Sequence, residues 1–132
     1  MEKLFINLNV WLYRLLRGGP MTSRLLLLTA RGRKTGQQRT TPLGYFRDGE
    51  TFIVIASNGG RQRHPTWYLN LVATPNVEVQ VGARRFQARA ETAQGDERTR
   101  LWKTLATINP GYEKMQQKNT RVFPVVRLTP IG

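Results

Sequence analysis

Residues 39–57, RTTPLGYFRDGETFIVIAS, carry the pattern on which the fold turns. Asp48-Gly49 is a strong hairpin signal, because glycine takes a positive φ at no steric cost and a two-residue turn needs one. Beyond it, Phe52-Ile53-Val54-Ile55-Ala56 is apolar and β-branched enough for a central strand, and before it Arg39 to Arg47 reads as a partner strand. Strands joined this tightly pair antiparallel, since a parallel pair requires a crossover of about a dozen residues or more. Working outward, Leu25 to Thr29 reads as a buried strand and leads into a basic, glycine-punctuated turn, Arg31-Gly32-Arg33-Lys34-Thr35-Gly36. Val77, Val79 and Val81 alternate with Glu78 and Gln80, and Gly82-Ala83 turns that strand into a second one from Arg84 to Thr92. Val122 to Leu128 is the last strand. About six strands, mostly joined by hairpins, predict a mainly β (α+β) antiparallel barrel carrying short helices.

The helices are legible from spacing and stop signals. Leu4, Leu8, Trp11, Leu12 and Leu15 fall on one face of a helix from about residue 3 to 17, which Gly18, Gly19 and Pro20 end. Asn58-Gly59-Gly60 opens a polar loop, and Pro65 suits the first turn of a short helix bearing Trp67, Tyr68, Leu69 and Leu71. Asp96 and Glu97 favour a helix start, with Leu101, Trp102, Leu105 and Ala106 as its buried face, ending before Asn109-Pro110-Gly111. A loop around Tyr112 then precedes the last strand. With 132 residues the chain is read as an N-terminal amphipathic helix, residues 1–20, followed by one barrel domain, residues 21–132.

Composition removes several chemistries. There is no cysteine, which excludes thiolate nucleophiles, disulfides and zinc-thiolate sites. The one histidine, His64, has no acidic residue within ten positions to orient it, and neither Ser23 nor Ser57 lies in a Gly-x-Ser-x-Gly turn, so triad hydrolysis is disfavoured. No group of acids and histidine has metal-ligand spacing, and no metal site is expected. The dinucleotide and triphosphate loop spacings are also absent. Any catalysis must therefore draw its reactivity from a cofactor.

Charge points to an anionic partner. Lys plus Arg number 21 against 8 Asp plus Glu, a formal net charge of +13, and no acid lies between Glu2 and Asp48 while Lys3, Arg14, Arg17, Arg24, Arg31, Arg33, Lys34, Arg39 and Arg47 all do. Within that stretch Arg33, Lys34 and Arg39 flank Thr35-Gly36, a combination suited to a phosphate or a chain of carboxylates. Nucleic acid, an anionic membrane and a phosphorylated small molecule each satisfy such a field. The longest aliphatic run, Leu25 to Leu28, is far short of the ~20 apolar residues of a membrane span, and no secretory leader pattern is present, so the expectation is cytoplasmic.

Gly32-Arg33-Lys34-Thr35-Gly36-Gln37-Gln38-Arg39, Pro42-Leu43, Asp48-Gly49, Ala56-Ser57-Asn58-Gly59-Gly60, Pro65-Thr66-Trp67-Tyr68-Leu69-Asn70-Leu71 and Pro75-Asn76-Val77 together resemble, in order and spacing, the deazaflavin (coenzyme F420)-dependent nitroreductases and F420H2-dependent quinone reductases. The resemblance runs from about Leu25 to Pro130. It implies a split β-barrel related to flavin-binding reductases, with F420 in place of FMN and hydride leaving C5 of the reduced deazaflavin. F420 carries a phosphate and an oligoglutamate tail. By position, Arg33, Lys34 and Arg39 are implied to hold phosphate and tail, with backbone donors from Thr35, Gly36, Gln37 and Gln38. Ala56, Ser57 and Asn58 are implied to lie along the deazaflavin ring, and Trp67 and Asn70 to form the neighbouring helix wall.

Two positions depart from the family pattern. Asn58 stands where a lysine is frequent, and of three tyrosines carried by nitroimidazole-reducing members only Tyr112 is present, with Asn109 and Met115 at the other two positions. Tyr112 is the candidate proton donor beside the acceptor, with packing as the alternative. The acceptor is expected to be a quinone or another activated electrophile, a nitro compound included. The N-terminal helix, residues 3–17, is open to peripheral membrane contact, to a homodimer interface or to capping the barrel. Two other functions stay in view. One is a nucleic-acid-binding barrel, disfavoured but able to use Trp67, Tyr68 and Phe86 as stacking platforms; the other is a non-catalytic F420 or FMN carrier.

Overall fold

The computed structural model describes residues 24–131, in which seven strands form one antiparallel sheet in the order β2-β1-β5-β6-β7-β4-β3. The strands are β1 (Leu25–Arg31), β2 (Gln38–Gly44), β3 (Phe46–Asp48), β4 (Thr51–Ile55), β5 (Asn76–Val81), β6 (Arg84–Thr92) and β7 (Val125–Pro130). The helices are α1 (Thr66–Ala73), α2 (Gly95–Ile108) and α3 (Gly111–Gln117), with a single 3-10 turn at Asn58–Gly60. The expected helix over residues 3–17 lies outside the described residues. No helix among the described residues is long and apolar enough to cross a membrane.

Strand order explains why the sheet curls. β2 and β3 are its two edges, yet only Tyr45 separates them along the chain. The edges must therefore meet at that corner, which produces a barrel closed at one corner and split elsewhere. Sequence periodicity predicts one strand across Arg39–Arg47; the structure breaks it at Tyr45, whose N–H donates to the Arg24 carbonyl (2.9 Å). The reason is tertiary: residues before the break pair with β1 and those after it with β4.

Alternation then sorts side chains between two cores. Leu26, Leu28 and Ala30 of β1, Phe52 and Val54 of β4, Val77 and Val79 of β5, and Val126 and Leu128 of β7 fill the barrel interior, sealed by Leu71 of α1. Ile53 and Val125 point to the opposite face and pack with Phe46, Ala93, Leu101 and Leu105 under α2. Buried on both faces, β4 reads as a continuous apolar run rather than as alternation. Arg127 to Glu97 (2.5 Å) and Arg98 to the Phe123 carbonyl (2.9 Å) tie α2 to the chain at β7.

Two further expectations shift. The expected loop around Tyr112 is helix α3, joined to α2 by the Trp102 indole N–H donating to the Glu113 carboxylate. The last strand begins at Val125 rather than Val122, because Phe123 is fully buried and the residues before β7 pack against the loop after β4 instead of extending the sheet.

Candidate active site

The basic turn between β1 and β2 is built from its own backbone. Gly36 (φ +76°) donates to the Gly32 carbonyl (2.8 Å), and Gly32 donates to the Gln37 carbonyl (2.7 Å). Gln37 N–H reaches the Thr35 hydroxyl at 3.2 Å. The N–H groups of Gly36 and Gln37 are thus spent inside the turn, and what it presents outward is charge. Arg33, Lys34 and Arg39 are exposed, and the ion pairs among the described residues, Arg85–Glu78, Arg89–Glu91, Arg100–Asp48 and Arg127–Glu97, include none of them.

One polar contact aims this turn. Asn70, on the inner face of α1 and only 2 % exposed, accepts the Arg33 N–H through Oδ1 at 3.0 Å. Nothing in the local sequence marks Asn70 as a tether to a residue 37 positions earlier. Trp67, one turn before Asn70 on α1, is half-buried against the barrel core, edge-on to Tyr68 with ring centroids 6.3 Å apart. Tyr68 donates to or accepts from Thr92 through its hydroxyl (2.9 Å). Trp67, Tyr68 and Phe86 all pack on the barrel core, so the aromatic platforms that nucleic-acid binding requires are committed to packing.

The loop between β4 and α1 lies next along the surface. Ala56 is fully buried, its N–H bonded to the Pro124 carbonyl and its carbonyl to Arg121; Ser57 is 9 % exposed. Asn58 takes a left-handed conformation (φ 52°) and its amide donates to the Arg63 carbonyl (3.0 Å). Gly60 (φ +86°) sits against α3, where an added Cβ would come within 3.1 Å of Met115 Cγ and Sδ. Gly60→Ala is therefore expected to lower unfolding free energy by about 1–2 kcal/mol, chiefly from the left-handed backbone, as read by thermal or urea denaturation.

α3 joins this loop to a mostly apolar, half-open cavity of about 540 Å³ lined by Arg24, Tyr45, Ile53, Ile55, Asn109 and Tyr112, among others. Of the three family tyrosine positions, Asn109 and Tyr112 line the cavity, while Met115 turns to Gly60. Burial pushes the Tyr112 hydroxyl above the usual phenol range, so it holds its proton at neutral pH. The sequence-derived candidates thus fall on consecutive surfaces: the cationic turn, α1 tethered to it, the Ala56–Asn58 loop, and the Tyr112 cavity. No group of three or more His, Asp or Glu residues with metal-site spacing exists among the described residues.

Arg121 was not among the sequence-derived candidates. Its guanidinium reaches into the loop from the segment before β7, a placement no local pattern announces.

A split antiparallel barrel that carries a cationic turn at one end of the β1–β2 hairpin, free of ion pairs among the described residues, and a mostly apolar cavity at the other end defines a small coenzyme-binding barrel protein. The chain belongs to the F420H(2)-dependent quinone reductase family, whose model matches residues 6–130. An F420H(2)-dependent quinone reductase of Mycobacterium tuberculosis is 44% identical over 107 residues, 79% of this chain and 72% of that relative. Among solved structures, an F420-H2 dependent reductase (FDR-A) superposes with a TM-score of 0.73 at 34% identity, covering 80% of this chain and 93% of that one. A structure described as a domain-swapped dimer has a TM-score of 0.74 at 30% identity over 92% of this chain and 96% of its own.

Proposed function

We propose that this protein is an F420H2-dependent oxidoreductase that reduces a quinone. The observation that carries the reading is the trio Arg33, Lys34 and Arg39, exposed and without an ion pair among the described residues, on a turn that Asn70 tethers to α1. Three clustered, exposed cations suit a ligand bearing a phosphate and several carboxylates, and F420 is such a ligand. When bound, reduced F420 supplies hydride, and a quinone that accepts it and one proton becomes the hydroquinone.

The chain's own residues bind, orient and hydrogen-bond. Arg33, Lys34 and Arg39 hold the anionic phosphate and tail, with the backbone from Thr35 to Gln38 shaping the turn. Ser57 and Asn58, above buried Ala56, form the floor for the ring system, and Trp67 with Asn70 limits it on the α1 side. The cavity between β4 and α3 receives the acceptor, its mostly apolar lining suiting a quinone ring. Tyr112, neutral at working pH, donates a hydrogen bond to the acceptor oxygen as negative charge grows on it. Because a quinone is itself a strong hydride acceptor, this help is modest. Tyr112→Phe is expected to lower kcat/KM for quinone about tenfold while F420 affinity stays unchanged, checked by steady-state kinetics beside a binding titration. A homodimer is also consistent with the swapped relative, and light scattering of the purified chain decides it.

The test of the central reading is a fluorescence titration of F420 with the purified protein, FMN serving as control. This is followed by anaerobic turnover of F420H2 with a soluble quinone. Binding of F420 over FMN with quinone-dependent F420H2 oxidation supports it; absence of F420 binding refutes it.

A further inference from the structure

The loop from Ala56 to His64 has little regular structure of its own, yet it is held at many points by one side chain. Arg121 Nε donates to the Arg61 carbonyl (3.0 Å), Nη1 to the Ala56 carbonyl (3.0 Å) and Nη2 to the Ser57 carbonyl (2.8 Å). A further Nη1 contact reaches His64 Nδ1 at 3.1 Å. Four of the five N–H donors of the guanidinium are thus directed at one loop. Its carbon lies 4.8 Å from the centroid of the fully buried Phe123 ring, which fixes the plane of the fork. Asn119 and Thr120 add bonds from the same segment, to the Gly60 carbonyl and to Gln62.

We propose that Arg121 is a positioning residue that presets the Ala56–His64 loop for the coenzyme, and that His64 completes its set of acceptors only as a neutral imidazole. The inference rests on the reading that Ser57 and Asn58 floor the coenzyme ring. Arginine can only donate, so the bond to Nδ1 requires that nitrogen to be unprotonated and places the ring proton on Nε2. The groups facing His64 agree with this. Arg121 meets it from the segment before β7, Arg61 and Arg63 lie on its own loop, and the Tyr68 ring of α1 packs at a centroid distance of 5.1 Å. None is acidic. Burial first, and the Arg121 charge second, hold the His64 imidazole below its usual range. A group whose folded pKa is depressed in this way stabilises the loop above the unfolded value, near 6.5, and that stabilisation fades as pH falls below it.

Lysine keeps the charge of Arg121 but cannot reproduce a planar fork that serves three carbonyls and an imidazole. Arg121→Lys is expected to raise amide exchange in residues 57–63 while β5 and β6 stay protected, and to weaken F420 binding about tenfold or more with quinone KM unchanged. His64→Asn offers a non-titrating acceptor at the Nδ1 position. It is expected to bind F420 like the unsubstituted chain at pH 7.5 and better than it at pH 5.5, the comparison between the two chains cancelling any titration of the coenzyme itself. Unchanged loop exchange in Arg121→Lys overturns the proposal, and so does F420 binding that falls equally with pH in both His64 forms. Raised exchange with undiminished F420 affinity overturns it at a different point, by showing that the ring does not rest on this loop. Failure of the unsubstituted chain to bind F420 removes the reductase reading instead. The His64 comparison stands even where Arg121→Lys does not fold.

Discussion

Replacing Arg33 and Lys34 together with alanine is expected to weaken F420 binding about 100-fold and leave the fold intact. A hydrogen bond to a charged group contributes about 1.5–3 kcal/mol when well formed, and exposure places these two at the low end. Two such contacts near 1.5 kcal/mol each give about 3 kcal/mol, or about two powers of ten in Kd. Neither side chain has an ion pair among the described residues, and the turn is held by backbone bonds and by Asn70, so their removal costs the scaffold little. The fluorescence titration that measures the loss also has a salt signature. Raising ionic strength should weaken the unsubstituted chain more than the double variant, since part of the attraction being screened is already gone. An equal salt dependence in both would place the coenzyme's anionic groups elsewhere.

The largest expected effect on stability is that of Phe52→Ala. Phe52 is 1 % exposed at the centre of the barrel, edge-on to Tyr45 with centroids 5.4 Å apart, and 5.3 Å from Phe86. The Arg47 guanidinium carbon covers its ring at 4.5 Å. Truncating so large a buried ring typically costs about 3–5 kcal/mol, of which the residual cavity accounts for a share. Against a typical total of about 5–15 kcal/mol, that is a large fraction of the stability of a small domain. Urea denaturation should show a lower midpoint with little change in slope. Phe52 also supports Tyr45, which lines the cavity proposed for the acceptor at the corner where β2 becomes β3. Folded Phe52→Ala is therefore expected to show a raised KM for quinone as well. Val72→Ala, at a position 56 % exposed, is the control and should stay within about 0.5 kcal/mol of the parent.

Much of the architecture was legible because it is local. The hairpin β5–β6 needs only alternation and a glycine: Val81 pairs with Arg84 across Gly82-Ala83, with Gly82 at φ +60°. The start of α1 after Pro65 and the start of α2 near Asp96 follow from end signals of the same short range. The break at Tyr45 had only a weak local mark, the isolated Gly44 inside a strand pattern, and it is the choice of different partners on each side that forces the corner. Helix α3 was hidden for a related reason. It is seven residues long and contains no fully buried residue, so it lacks the apolar period by which a helix is read.

The candidate site divides along the same line. The sequence by itself determined the cationic turn, the absence of thiol chemistry, the lone histidine and, through spaced motifs, the family. These are properties of residue identity or of short-range spacing. The tertiary structure alone decided that Asn70 holds the turn, that Arg121 holds the Ala56–His64 loop, and that Tyr112 and Asn109 share a cavity from which Met115 turns away. Each is a contact between residues far apart in the chain or a choice of helix face, set by how the curled sheet brings its segments together. Local patterns encode which strand forms, whereas the partner of a buried donor or acceptor is chosen only once the chain has closed around it.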